Sequence, residues 1–149
     1  MRYLGLDLGS KTLGIAISDK TLTIASVLKT INFNTDDYDS LIEPLKEIIK
    51  ENEITKIILG YPLNMNGTIG ERAEITIEFK KKLENAFQLE VILQDERLTS
   101  VISNQVLIDA NLSRKKRKKK VDGMAASLIL QSYLNKERWL WWKKKIHSK

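Results

Sequence analysis

Gly5-Leu6-Asp7-Leu8-Gly9-Ser10-Lys11-Thr12-Leu13-Gly14-Ile15-Ala16-Ile17-Ser18-Asp19 is the stretch on which the reading of this chain turns. Residues 3–8 and 13–18 alternate in strand fashion around a glycine turn, which predicts two paired strands. Leu4, Leu6 and Leu8 fall on one face of the first strand, with Tyr3, Gly5 and Asp7 on the other. In the second strand Leu13, Ile15 and Ile17 lie opposite the small Gly14, Ala16 and Ser18. A half-buried carboxylate in mid-strand costs free energy unless something pairs with it. Asp7 therefore points to a cation, or to a phosphate reached through one, and Gly5 and Gly9 read as the residues that leave space for it.

Downstream, the β-branched run 22–31 predicts a third strand, followed by a polar turn from Asn32 to Asp37. Residues 38–52 place Tyr38, Leu41, Ile42, Leu45, Ile48 and Ile49 at helical spacing. Ser40 with Glu43 resembles a capping box, and Pro44 then falls in or near the first turn. A short strand over 56–62 leads to a polar loop over 64–70. Ile75, Phe79, Leu83 and Phe87 mark a helix over 71–87, and 90–94 a fifth strand. Residues 100–112 and 121–134 read as helices, with Asp122 opening the second. This order predicts an α/β three-layer sandwich with a mixed five-stranded sheet flanked by helices. The first three strands form an antiparallel meander, and the last two run parallel through helical crossovers.

Composition sets the bounds. The 149 residues suit one domain, here placed at 1–135, with a basic, Trp-rich tail at 136–149. The absence of cysteine excludes disulfides and thiolate metal sites. No apolar run approaches a membrane span and no signal-peptide order opens the chain, so a cytoplasmic protein with no membrane partner is expected. The net charge of +6 is unevenly spread. Residues 1–113 hold 12 Lys/Arg and 17 Asp/Glu, a net of −5, whereas residues 114–149 hold 13 and 2, a net of +11. An acidic body with a basic end implies a polyanionic partner, and cations to reconcile the two.

Asp7, the Asp95-Glu96 pair and Asp122 each stand at the edge of an expected element. Singly, Asp7 reads as an edge-strand or turn carboxylate, Asp95-Glu96 as a helix-entry pair, and Asp122 as a helix N-terminal charge or a partner for the adjacent lysines. Together they form an oxygen-only set that suits Mg²⁺ or Mn²⁺ and not zinc. One or two such ions can activate water and stabilise the leaving oxygen in phosphodiester cleavage.

Four ordered blocks then carry a family resemblance. They are Gly5-Leu-Asp7-Leu-Gly9 through Asp19, Ile57-Ile-Leu-Gly60-Tyr-Pro62-Leu-Asn64-Met-Asn-Gly67, Asp95-Glu96-Arg97-Leu98-Thr99-Ser100, and Val121-Asp122 through Leu134. This pattern resembles the YqgF/RuvX family, described as pre-16S rRNA nucleases or Holliday junction resolvases with an RNase H-like fold. The resemblance implies that Asp7, Glu96 and Asp122 are the catalytic acids and hold Mg²⁺ or Mn²⁺. It leaves open whether Asp95 or Glu96 points inward. Asn66 replaces the family's usual Asp, and Thr12 stands where Arg is common. The Gly-x-Asp-x-Gly turn also resembles the first phosphate motif of actin-like and sugar-kinase ATPases. Those enzymes need two duplicated lobes, and this chain has room for one.

Arg114, Lys115, Lys116, Arg117, Lys118, Lys119 and Lys120 form an unbroken cationic run, read as a solvated loop that meets phosphates without base specificity. Lys11 and Arg97 are further candidates for phosphate contact, and Arg97 can equally pair with a neighbouring carboxylate. Trp139, Trp141 and Trp142 sit among cations, so they either stack on unpaired bases or pack back on the domain. His147, the one histidine, lies at the expected frayed end and is not a candidate base. The expected activity is metal-dependent endonucleolytic cleavage, with pre-16S rRNA or branched DNA as substrate and a ribosomal precursor as possible partner. A non-catalytic ribosome-assembly factor is the competing reading, and either a monomer or a homodimer suits the chain.

Overall fold

The structure is a computed structural model that describes residues 1–64, 66–95 and 114–147, with backbone alone for 114–123 and 147. Five strands form one sheet in the order β3-β2-β1-β4-β5, with β1 Arg2–Leu8, β2 Thr12–Ser18, β3 Ala25–Asn32, β4 Ile54–Tyr61 and β5 Glu90–Asp95. β1 pairs antiparallel with β2, and β2 with β3. β4 lies parallel to β1 and β5 parallel to β4. The meander and the two crossovers expected from sequence are therefore present.

The alternation in β1 and β2 separates two cores. Leu4, Leu6, Leu8, Leu13 and Ile15 pack on one side with Leu41, Leu45, Phe79 and Leu83. Those partners come from α1, Ile42–Glu51, with the 3₁₀ turn Tyr38–Leu41 before it, and from α2, Glu71–Phe87. On the other side Tyr3, Ala16 and Ile58 pack with Ala126, Ile129, Leu130 and Leu134 of α3, Arg114–His147. Each fully buried Leu, Ile or Phe contributes about 1.5–3 kcal/mol of transfer free energy, so both helical layers are held chiefly by apolar burial.

Two local expectations need correction. The capping box does not form: Leu41 caps α1, no side chain supplies a capping bond, and the Ser40 hydroxyl donates to the Asp37 carbonyl at 2.7 Å. The 3₁₀ turn ahead of α1 draws Ser40 away from the N-cap position, while Pro44 does fall in the first turn. The basic run 114–120 is not a loop; its backbone is the opening of α3. Lys and Arg are good helix formers, and a helix nucleated by packing extends at low cost. Like-charge repulsion, about 0.2–0.5 kcal/mol per pair, is too small to stop it.

α3 is seated on the sheet by a close approach and by a polar cluster. A Cβ on Gly5 would stand 2.7 Å from Leu130 Cβ and 3.0 Å from the Ala126 carbonyl oxygen, so glycine is what lets helix and strand touch. Further along, the Tyr3 hydroxyl donates to Glu137 at 3.1 Å and the Tyr133 hydroxyl to the same carboxylate at 2.9 Å. Lys56 Nζ completes the cluster, 3.4 Å from Glu137 and 3.2 Å from the Tyr133 hydroxyl, over the face of Tyr3 at 4.9 Å. Burial works against the Lys56 charge, but its bonds and attraction to Tyr133, Tyr3 and Glu137 outweigh that and raise its pKa. Burial and the nearby Glu137 push both tyrosines up as well.

Candidate functional site

Asp7 is the penultimate residue of β1, half-buried, and sits opposite Gly14 of β2. It shares the face of Tyr3 and Gly5, which is the face covered by α3. The antiparallel ladder with β2 pairs its backbone with Gly14, while the parallel ladder with β4 ends one residue earlier, at Leu6. Gly5 contacts residues 126 and 130, whereas Tyr3 contacts 133 and 137, so α3 runs antiparallel to β1. Asp7 lies two residues beyond Gly5, about 7 Å along the strand. Asp122 lies one turn before Ala126, about 6 Å along the helix. Both positions therefore belong to the same end of this strand–helix pair.

Asp95 closes β5 opposite Tyr61, at that same edge of the sheet. It is exposed and shares the strand face of Val91 and Leu93, which belongs to the α1/α2 core. Asp7 and Asp95 consequently stand on opposite faces. Glu96 and Arg97, and the helix expected over 100–112, lie outside the described residues, as do the side chains of Asp122 and of Arg114 to Lys120. Among the described residues no group of three His, Cys, Asp or Glu forms a metal-binding cluster.

Lys11 is exposed in the β1–β2 turn, closed by the Gly9 N–H donating to the Thr12 carbonyl at 2.8 Å. The turn puts Lys11 at the same edge as Asp7. Gly9 and Gly5 do not leave room for a cation and phosphate: a Cβ on Gly9 would meet Thr12 at 3.1 Å, and Gly5 is filled by α3. Those glycines serve turn closure and helix packing.

One residue at this edge escaped the reading of the sequence. Arg72, in the first turn of α2, donates from Nη2 to the Leu8 carbonyl at 3.0 Å, tying the helix to the end of β1 beside Asp7. A cation in a helix's first turn opposes the helix dipole, and that was its available signal. The loop before it is braced by side chains: Asn64 Nδ2 donates to Thr68 Oγ1 at 3.0 Å, and the Thr68 hydroxyl to Asn66 Oδ1 at 2.6 Å.

The tryptophans do not pack back on the domain. Trp139, Trp141 and Trp142 are 61%, 60% and 53% exposed on the continuous α3, and His147 ends that helix. No helix among the described residues is long and apolar enough to cross a membrane.

Comparison with known proteins places this geometry. A family model described as "RuvX: Holliday junction resolvase" matches residues 1–136. A protein named "Putative pre-16S rRNA nuclease" from Bacillus subtilis is 50% identical over 135 residues, covering 91% of this chain and 98% of its own. One of the same name from Oceanobacillus iheyensis is 49% identical over 137 residues, covering 92% and 100%. Among solved structures, Thermus thermophilus RuvC in complex with a Holliday junction substrate matches with a TM-score of 0.56 at 11% identity, covering 91% of this chain and 96% of that one. The fowlpox virus Holliday junction resolvase gives 0.54 at 20% identity, covering 91% and 99%. Those two likenesses show the fold alone. On the match over residues 1–136 and the identity to full-length relatives, the chain belongs to the YqgF/RuvX family and carries its RNase H-like fold.

Proposed function

We propose that this protein is a metal-dependent endonuclease of structured nucleic acid, and that its substrate is the 5′ extension of pre-16S rRNA. The observation that carries the reading is the placing of Asp7 at the end of β1, on the face of the antiparallel α3, one turn from whose Ala126 stands Asp122. Relatives at 49–50% identity named as pre-16S rRNA nucleases support the choice of substrate.

Asp7, Glu96 and Asp122 would hold one or two Mg²⁺ or Mn²⁺ ions. The half-buried strand carboxylate and an all-oxygen donor set fit such hard cations. Held by those acids, such an ion would supply Lewis acidity toward the phosphate and lower the pKa of water toward neutral pH. The protein's own part is positioning. The ladder with β2 holds the Asp7 backbone opposite Gly14, and Arg72 fixes the next carbonyl, that of Leu8. Asp95 stands on the face opposite Asp7, which supports assigning Glu96 rather than Asp95 to the proposed metal site. Lys11, Arg97 and the cations from Arg114 to Lys120 take phosphates of the substrate backbone. Each phosphate neutralised steepens the salt dependence by about 0.7 on a single strand and 0.9 on a duplex, in log K per log salt.

A second substrate, the four-way DNA junction, is favoured by the description of the family model that spans residues 1–136. Both readings are tested by giving the purified protein labelled 5′-extended pre-16S rRNA and a labelled four-way junction, under Mg²⁺ and under Mn²⁺. The RNA is expected to be cut at a defined position, and Asp7→Asn to slow that cleavage at least about 100-fold with the fold intact. Preferential cutting of the junction would establish the second reading. Binding of RNA without cleavage under any of these conditions would leave an assembly factor.

A further inference from the structure

The family-model match ends at residue 136, yet α3 continues to His147. Within that extension three tryptophans stand more than half exposed, with Leu140 at 55% and Ile146 at 51%. A buried Trp hides about 150–250 Å², and each of these leaves more than half its surface in solvent; a contiguous exposed apolar patch of several such residues marks an interaction site. Residues 138–149 add Arg138, Lys143, Lys144, Lys145 and Lys149 and contain no Asp or Glu.

We propose that this end of α3 is a stacking platform for the unpaired bases of a single-stranded nucleic acid, separate from the catalytic edge. Trp139 and Trp142 share one line of the helix with Asn135 and Ile146, and Trp141 continues the line of Leu134 past the sheet. A groove of about 710 Å³ opens beside them, walled by Trp139, Trp142 and Arg138 on the helix and by Thr21 and Leu22 of the β2–β3 turn. The far wall is rigid. Asp19 accepts hydrogen bonds from the Thr23 N–H at 2.8 Å, the Ile24 N–H at 3.0 Å and the Thr21 hydroxyl. Gln131 clamps the turn to the helix, accepting from the Ala25 N–H at 2.8 Å and donating to the Thr23 carbonyl at 2.9 Å. On the near side, the Tyr3–Lys56–Glu137 cluster anchors the helix just before the tryptophans.

Charge and geometry select this occupant over two others. A helix lying in a membrane interface needs one apolar face opposite one charged face. Here Leu140 and Trp141 depart from the Trp139–Trp142–Ile146 line, and three consecutive lysines run around the helix. A two-fold dimer through this patch would set its cations against their own copies. A single strand satisfies both features, its phosphates meeting the cations and its bases the rings. Asp122 and Trp139 are 17 residues apart on one helix, about 25 Å. That is about seven base steps of a duplex, so a substrate with a paired and an unpaired segment can engage both regions.

The proposal rests on a nucleic-acid partner and not on cleavage, which the test separates. Full-length wild type, Trp139→Ala, Trp142→Ala, the double variant, Trp139→Phe/Trp142→Phe and Lys143→Ala/Lys144→Ala/Lys145→Ala are titrated in EDTA against a short labelled oligouridine and an abasic strand of equal length. Each Trp→Ala is expected to weaken oligouridine binding about 5- to 150-fold and to leave abasic binding unchanged. The double Phe variant should retain most of the affinity. The triple Lys variant should lower the salt slope by about 2. Trp variants that bind oligouridine as wild type does, or that lose abasic binding equally, would overturn the platform. So would variants that keep RNA binding and lose binding to phosphatidylserine-containing vesicles, or only dissociate a dimer. Trp-dependent binding by a protein that cleaves no substrate upholds the platform and sinks the nuclease reading; cleavage with Trp-independent binding does the reverse.

Discussion

Replacing Gly5 by Ala tests the seating of α3 on the sheet. The added methyl would stand 2.7 Å from Leu130 Cβ and 3.0 Å from the Ala126 carbonyl oxygen, where ordinary contacts begin at 3.4 Å. Helix and strand must therefore separate by about 0.4–0.7 Å. Trimming a side chain gives no relief, because one obstacle is a backbone oxygen and the other a Cβ. Overpacking of this kind costs about 1–3 kcal/mol. Ala also narrows the unfolded ensemble, which returns about 0.4–1 kcal/mol, so the net loss is at most about 2.6 kcal/mol. For a domain of this size that lowers Tm by up to about 10 °C. If the proposed site holds, the same displacement also shifts the α3 backbone at Asp122 relative to Asp7, and misplacement by about 1 Å can cost about 100-fold in rate. Thermal unfolding followed by circular dichroism, with cleavage measured on the same preparation, checks both effects. A Tm above that of wild type would refute the close packing of Gly5 against α3.

Other perturbations probe the remaining polar structure. Lys56→Met removes the cation that Tyr3, Tyr133 and Glu137 surround and should cost about 1–3 kcal/mol, read from urea midpoints. Because Lys56, Tyr3 and Tyr133 all have raised pKa values in the fold, the folded state holds their protons more tightly than the unfolded. Their stabilisation is then complete at neutral pH and fades as pH rises through the folded values, so midpoints should fall above about pH 10 and fall less in Tyr133→Phe. Asp19 runs the other way: the Ile24 N–H, then the Thr21 hydroxyl and the Thr23 N–H, hold its carboxyl down to about 2 against an ordinary 3.8. Its contribution is present above the ordinary value and lost as pH falls through about 2, and Asp19→Asn should flatten the acid limb of a Tm–pH curve. Arg72→Ala breaks the bond to the Leu8 carbonyl and should cost about 1.5–3 kcal/mol while reducing kcat more than it raises KM. An unchanged kcat would show that Arg72 braces the fold without positioning the site.

The legible part of this protein was whatever repeats along the chain at short range. Period-two alternation in residues 3–8 and 13–18 assigned Leu4, Leu6 and Leu8 to one core and Tyr3 to the other, because a pleated strand sends neighbours to opposite faces. Helical spacing located Leu45, Ile48, Phe79 and Leu83 in the same way. Asp7 stood out because a strand tolerates a carboxylate poorly. Tertiary structure decided what depends on residues far apart. Gly5 reads in the sequence as space for a ligand, but what lies over it is Leu130, 125 positions away. Arg114 to Lys120 read as a loop on local charge, yet the packed turns that follow propagate helix back through them. Asp95 and Asp7 could be assigned to opposite faces only once the register of β5 against β4, and of β4 against β1, was known. The tryptophans could have packed or projected, and they project because the helix that carries them outruns the sheet it lies on. Sequence periodicity thus set the elements and the pair of faces on each. The distances between faces, which decide whether a glycine is a cavity or a contact, came from packing alone.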